Sequence, residues 1–339
     1  MPVADLSLCF SSNDSPVSVL SSGWACCGTS GISAAGEPRF PSRVGQLGGR
    51  RSPGAALPLI LLAVLALVQG LTELLPISSS AHLILTWEVF ARLEQPVDLG
   101  GHQELMLDIA GHVGTLAAII LYFWRDVLAI LRGALRLLLG RPDRNSRLFL
   151  YIVLSAIPAA VAGYLLQDAA ANSLRLVELI AWTQIGFGLL LFVADRVGMT
   201  IRKIDHLRVS DVVLLGLAQA LALIPGTSRS GITMTCGRFL GLERSEAARF
   251  SFLMAMPTIA GAGLLAGVEL MQTGGGGGPF VTDALITAGL SFLASLAAVA
   301  FLMAWIRRQS FTLFVVYRVL LGGFLLWLVY SGTLESLRF

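Results

Sequence analysis

The chain has 339 residues, 55% of them hydrophobic and 13% charged, with a formal net charge of +3. A soluble domain carries roughly a quarter charged residues, so half that density over this length excludes a water-soluble enzyme and points to a polytopic membrane protein. Every basic residue but Lys203 is an arginine, scattered between apolar runs, and without a continuous basic tract nothing indicates nucleic acid as a partner.

Residues 1–54 are rich in Ser, Gly and Pro, carry seven charges and contain no apolar run able to span a bilayer. They read as a disordered or non-native N-terminal extension, and they lack the basic start and apolar stretch of a signal peptide. Cys9, Cys26 and Cys27 fall here and Cys236 in an apolar run; neither CxxC spacing nor a histidine cluster accompanies them, so no zinc site or disulfide framework is expected. Residues 55–339 form one membrane domain in two halves, about 55–200 and 205–339.

Six segments are long enough to cross a roughly 30 Å hydrocarbon core as helices: 104–124, 148–166, 177–197, 250–271, 283–306 and 312–331. Two further apolar regions are interrupted, 57–90 by Pro76 and a serine run, and 210–241 by Pro225, Gly226 and the string TSRS. Broken helices are tolerated at membrane depth only where protein or a wet cavity satisfies the freed backbone. The two breaks resemble each other. QGLTELLPISSSAH (Gln69–His82) and QALALIPGTSRSG (Gln219–Gly231) both pass from a helix bearing Gln into Pro and a hydroxyl cluster. With one gap, Pro76, Ser78, Ser79 and Ser80 fall opposite Pro225, Thr227, Ser228 and Arg229, a spacing near 149 residues.

Loop charge orients the chain. The connection 125–147 holds six arginines against two acids, and 196–209 holds Arg196, Arg202, Lys203 and Arg208 against Asp205, so both are expected in the cytoplasm. Threading the six spans then makes 210–241 a hairpin returning to the cytoplasm and 57–90 one opening outward. The fold class is therefore all-α: six transmembrane helices plus two oppositely oriented re-entrant hairpins, an inverted-topology repeat whose half-helix ends meet in a site.

In the first break Gln69 and Glu73 share a helix face at i and i+4, followed past Pro76 by Ser78, Ser79, Ser80 and His82. Ionisable residues inside apolar segments suggest function. The second break supplies a complementary cation: Pro225 stops one helix, Thr227 or Ser228 can cap the next, and Arg229 and Ser230 follow, with Thr233 one turn on. Free helix N-termini, hydroxyls and an arginine suit a phosphate. Asp108 and His112, another i and i+4 pair, are secondary candidates for a metal, a proton relay or a plain structural bond. Asp195, Glu178 and Glu269 lie at span ends, where solvated charge needs no special role. Cleaving a phosphoanhydride needs charge neutralisation, a nucleophile or activated water, and a proton acceptor or donor; Arg229, a serine or water, and His82 fill those roles.

These motifs resemble a known family. QGLTELLPISSSAH is similar to the (E/Q)xxxE…P-[VI]-S-S-T-G-H signature and PGTSRSGIT to the PGxSRSxxT signature of the undecaprenyl-diphosphate phosphatases, the bacitracin-resistance family, and LDIAGHVGT and RSEAARFSFLMAMP extend the likeness. The resemblance implies an integral enzyme of the bacterial cytoplasmic membrane, its site facing the outer side. It would hydrolyse undecaprenyl diphosphate to the monophosphate carrier for peptidoglycan and other envelope polymers and confer bacitracin resistance. It further implies Glu73, Ser79, His82 and Arg229 in catalysis. Ser78, Ser80, Thr227, Ser228, Arg229, Ser230 and Thr233 would surround the diphosphate, with Glu73 and Gln69 toward a divalent cation, Mg²⁺ or Ca²⁺. Membrane lipid is the surrounding partner and a homodimer a candidate assembly. Ala81 stands where the family carries Gly, so a positive φ there would strain the chain before His82. A polyprenyl-phosphate transporter or flippase is the alternative, since broken helices in inverted repeats are equally a transporter plan.

Overall fold

The computed structural model describes residues 59–93, 100–172, 177–273 and 278–331; the expected extension over 1–54 lies outside them. Helices carry the regular structure: α1 (Leu59–Leu74), α2 (Ser79–Leu93), α3 (Gly100–Tyr122), α4 (Trp124–Leu138), α5 (Arg144–Asn172) and α6 (Val177–Val197). A 3₁₀ turn, Ile204–His206, leads to α7 (Val209–Leu221), α8 (Arg229–Phe239), α9 (Arg244–Thr273), α10 (Gly278–Ile306) and α11 (Thr312–Tyr330).

Among the described residues five helices are long and apolar enough to cross a membrane, namely α5, α6, α9, α10 and α11, and they cover the last five expected spans. Leu190, Leu265, Leu293, Leu320 and Trp327 on these helices face outward, as lipid-contacting side chains do in a multi-pass membrane protein. The first expected span, 104–124, is covered by α3 to within two residues, and after Tyr122 the chain bends by 88° into α4. The connection 125–147 is thus helical through Leu138 rather than a charged loop. Its sequence explains the bend, because Leu128, Leu131, Leu135 and Leu138 alternate with Arg125, Arg132 and Arg136 at helical spacing. An amphipathic basic helix suits a membrane surface, not its core. Past α4, Arg136 pairs with Asp143 at 2.6 Å, and Asp143 and Ser146 bond reciprocally, each side chain accepting from the other's backbone N–H at 2.9 and 3.2 Å. The N–H of Ser146, and after it the Ser146 hydroxyl and Arg136, hold the Asp143 carboxyl below its usual range.

The two expected breaks separate α1 from α2 and α7 from α8. Ser78 and Ser228 are the only non-glycine residues described with positive φ, 70° and 69°. A left-handed conformation costs an L-residue roughly 1–2 kcal/mol. Finding it immediately before α2 and again before α8 fixes the repeat in the register Ser78/Ser228, Ser79/Arg229 and Ser80/Ser230. The sequence alignment, which matched the two prolines, is therefore one residue out in the hydroxyl cluster. Ala81 lies inside α2, so its substitution for Gly meets no positive φ.

The halves interlock. α1 and α3 pack on α10, α7 packs on α5, and α6 packs on α11. Small residues allow the close approach: a Cβ at Gly70 would lie 2.6 Å from the Ser291 carbonyl. Thr115, Ser291 and Ser295 form a buried hydroxyl cluster whose serines donate to the Gly111 and Gly70 carbonyls at 2.8 and 3.1 Å. Asp195, expected to be a solvated end charge, is instead buried. It accepts from Arg238 at 3.1 Å, Arg244 at 2.7 Å and the Phe311 N–H at 3.2 Å, tying α6 to α8, α9 and the start of α11.

Candidate active site

Glu73, on the last turn of α1, is 9% exposed and is the hub of the polar cluster. Ser79 Oγ, at the start of α2, donates to Glu73 Oε2 at 2.6 Å, and Gln69 Nε2 donates to the same oxygen at 3.3 Å. Arg229 Nη2 lies 3.2 Å from Glu73 Oε1, and its Nη1 donates to Thr258 Oγ1 on α9 at 3.4 Å. His112 on α3 completes the set with Nε2 3.4 Å from Glu73 Oε2. Its Nδ1 faces the Asp108 carbonyl at 2.8 Å; a carbonyl and a carboxylate both only accept, so Nδ1 donates to the carbonyl and Nε2 donates to Glu73 when the ring is protonated. The side chains of His112 and Arg229 are each 26% exposed, so the buried carboxylate is reachable from one side. Gly111 makes the room: a Cβ there would sit 2.9 Å from Gln69 Cγ.

The hydroxyls lock the two breaks together. Ser230 Oγ donates to the Leu75 carbonyl at 3.0 Å, and Ser80 Oγ accepts from the Gly226 N–H at 3.3 Å. Ser78 and Ser80 pair at 3.0 Å, as Ser228 and Ser230 do at 3.2 Å, repeating one motif in both halves. Ser228 caps α8 by accepting from the Gly231 N–H at 3.2 Å. The N-termini of α2 and α8 therefore bring their positive dipole ends next to Glu73 and Arg229. Thr233 does not face this cluster; its hydroxyl bonds the Arg229 carbonyl at 2.7 Å and Ser251 Oγ at 2.6 Å, joining α8 to α9. Thr227 Oγ1 is buried and has no hydrogen-bond partner among the described residues.

His82 lies elsewhere than expected. It bonds neither Glu73 nor Arg229: Nδ1 donates to the Ser78 carbonyl at 2.6 Å and Nε2 accepts from Tyr317 Oη at 2.5 Å, with the rings stacked 5.6 Å apart. The histidine on the carboxylate is His112, carried by α3. Tyr317, Thr258 and Arg318 lie outside the sequence motifs. Arg318 carried a readable signal, an arginine inside an apolar span, whereas Tyr317 and Thr258 carried none.

The fold and site define a multi-pass helical membrane protein in which two broken helix pairs converge on a carboxylate, a serine, an arginine and an imidazole. Residues 62–324 match the family described as Bacitracin resistance protein BacA, and the chain belongs to that family. It is 48% identical over 276 residues to undecaprenyl-diphosphatase 1 of Rhodospirillum rubrum, covering 81% of this chain and 96% of the relative. Undecaprenyl-diphosphatases of Jannaschia sp. and Hahella chejuensis are each 46% identical, over 81% and 79% of this chain and 100% and 97% of their own lengths.

Proposed function

We infer that this chain hydrolyses the terminal phosphoanhydride of undecaprenyl diphosphate, giving undecaprenyl phosphate and inorganic phosphate, the activity for which its relatives are named. The observation that carries the reading is the Ser79 hydroxyl, hydrogen-bonded at 2.6 Å to a buried carboxylate that also faces Arg229. The diphosphate sits between Arg229 and the N-termini of α2 and α8, lined by Ser78, Ser80, Thr227, Ser228 and Ser230. Its charge draws Arg229 off Glu73 and leaves the carboxylate to act as a base. Ser79 Oγ attacks the terminal phosphorus, its proton passes to Glu73, and the phosphoanhydride breaks to release undecaprenyl phosphate. Water then attacks the phosphoserine, the P–Oγ bond breaks, and Glu73 returns the proton to Ser79 Oγ, giving inorganic phosphate and restoring both residues. His112, not His82, is placed to balance the carboxylate. Anion transport alone would need the cradle but not a serine hydroxyl held on a carboxylate, which favours hydrolysis over the flippase reading.

The residues fit a divalent cation of a particular kind. Among the described residues Gln69 Oε1, buried beside Glu73, has no partner, and no group of three or more His, Cys, Asp or Glu is arranged as a ligand set. Mg²⁺ is commonly held by one or two carboxylates together with substrate phosphates, so Glu73 and Gln69 would hold the cation chiefly through the bound diphosphate. Such an ion neutralises charge on the phosphoryl oxygens. The enzyme lies in the bacterial inner membrane, with the broken pairs as re-entrant hairpins from opposite faces and the site opening outward; the arginine-rich segments 125–147 and 196–209 support that orientation.

The test is phosphate release from undecaprenyl diphosphate by detergent-purified protein, with and without EDTA, beside Ser79→Ala and Arg229→Ala. Release in the parent, lost in both variants and with EDTA, is expected. No release from folded parent protein would refute the function; full release by Ser79→Ala would replace the serine with an attacking water.

A further inference from the structure

Arg318, on α11, is fully buried at 0% exposed, yet among the described residues no carboxylate pairs with it. All of its hydrogen bonds go to backbone carbonyls. Nη2 donates to Gly226 at 2.9 Å, Thr227 at 3.1 Å and Thr183 at 3.5 Å, Nη1 to Pro76 at 3.5 Å, and Nε to Gln184 at 3.1 Å. One guanidinium therefore spans both breaks. Gly226 and Thr227 lead directly into Ser228 and Arg229, and Pro76 leads into Ser78 and Ser79.

The repeat shows what this residue adds. At the equivalent place on α6, four residues before Gly188 as Arg318 is four before Gly322, stands Gln184. Its Nε2 donates to the Ile77 carbonyl at 2.7 Å, the residue before Ser78, just as Arg318 serves Thr227 before Ser228. Each half thus uses its last helix to hold the carbonyls ahead of its own positive-φ serine. A neutral amide is sufficient for that in the first half. In the second half the task is done by a buried, unpaired cation, which is costly to desolvate, and the extra reach is used to grip the other break. The space for it is kept by glycine: a Cβ at Gly231 would meet Arg318 Nη1 at 2.8 Å.

We propose that Arg318 is the positioning residue of the site, the cross-tie that sets the first break, with Glu73 and Ser79, at its working distance from the second, with Arg229. It rests on the hydrolase reading above and acts through Arg229 rather than on substrate. Misplacing reacting groups by about 1 Å can cost 100-fold in rate, so the effect belongs in kcat.

Arg318→Gln copies the Gln184 solution, keeping one carbonyl bond at the second break while losing the tie to the first. In purified protein it is expected to fold, with a thermal midpoint close to the parent's, and to lose at least tenfold in kcat with KM changed less than threefold. Arg318→Lys, which restores charge but not the fork, recovers part of the loss. In an Arg229→Lys background the Arg318→Gln loss shrinks to less than threefold. Activity of Arg318→Gln within twofold of the parent, or losses that simply multiply with Arg229→Lys, would overturn the proposal. If Arg318→Gln does not fold, Arg318→Lys carries the same comparison. A parent that releases no phosphate would instead refute the hydrolase reading. The tie is then decided by inorganic pyrophosphate: a rise in thermal midpoint seen in the parent and absent in Arg318→Gln supports it, and equal rises in both refute it.

Discussion

Glu73→Gln separates the two things this carboxylate does, holding Arg229 and accepting the Ser79 proton. The substitution keeps shape and leaves an oxygen for Ser79 and Gln69, so folding should survive. Losing the proton acceptor costs on the order of 100- to 10,000-fold in kcat. Substrate binding moves the other way. At 3.2 Å and an effective dielectric of about 20, the gross attraction between Arg229 and Glu73 is about 5 kcal/mol. Solvent screening at a guanidinium side chain 26% exposed leaves a fraction of that, and the diphosphate has to compete with it. Each ~1.4 kcal/mol that survives corresponds to a tenfold lower KM once the charge is gone. Phosphate release measured over a range of undecaprenyl diphosphate concentrations, at saturating Mg²⁺, gives both constants. A kcat within threefold of the parent would remove Glu73 as the base. A KM raised tenfold or more would refute the competition and assign Glu73 chiefly to the cation.

Gly226→Ala puts a Cβ 2.1 Å from Thr183 Oγ1 and 2.6 Å from the Ile180 carbonyl at a φ of +85°. Conformational strain alone is roughly 1–2 kcal/mol, so the thermal midpoint should fall by several degrees and phosphate release with it; an unchanged midpoint would show that the second break is looser than described. Tyr317→Phe keeps the stack on His82 but removes the hydrogen bond to Nε2. Nε2 then loses its partner, so a small fall in thermal midpoint is expected, and none when His82 is already Asn; additive falls would show that the two residues act separately. The Asp143 carboxyl, held low first by the Ser146 N–H, contributes stability that is present above the ordinary aspartate value of about 3.9 and lost as pH falls through its depressed folded value. Amide exchange at Ser146, whose N–H donates to the Asp143 carboxylate, should stay protected from pH 7 to about 5, and Asp143→Ala should lose that protection throughout.

The spanning helices were legible because lipid demands long apolar runs, and both breaks because Pro and clustered hydroxyls cannot be buried in a helix without a reason. The bend before α4 was harder. No Pro or Gly stands at Phe123–Trp124; the signal was the amphipathic pattern downstream, hidden because its arginines read as loop charge. Glu73, Ser79 and Arg229 stand out in the sequence as unusual residues in apolar segments, but their distances depend on the interlock of the two halves. Which histidine reaches Glu73 shows the limit. His82 is nine residues away in sequence and His112 much farther, yet the packing of α3 beside α1 decides for His112. The repeat register turned on backbone conformation at Ser78 and Ser228, which letters alone do not express.

The crossed packing makes the two halves interdependent. α1 rests on α10 and α7 on α5 as well as on helices of their own half, so each repeat supplies part of the cover for the other's broken pair. Neither half can bury the inner faces of its own broken pair without the other. The acid and the nucleophile stand in one half, and Arg229 and Arg318 in the other. Separately expressed halves of the chain should accordingly be inert alone and regain turnover only on mixing in one membrane.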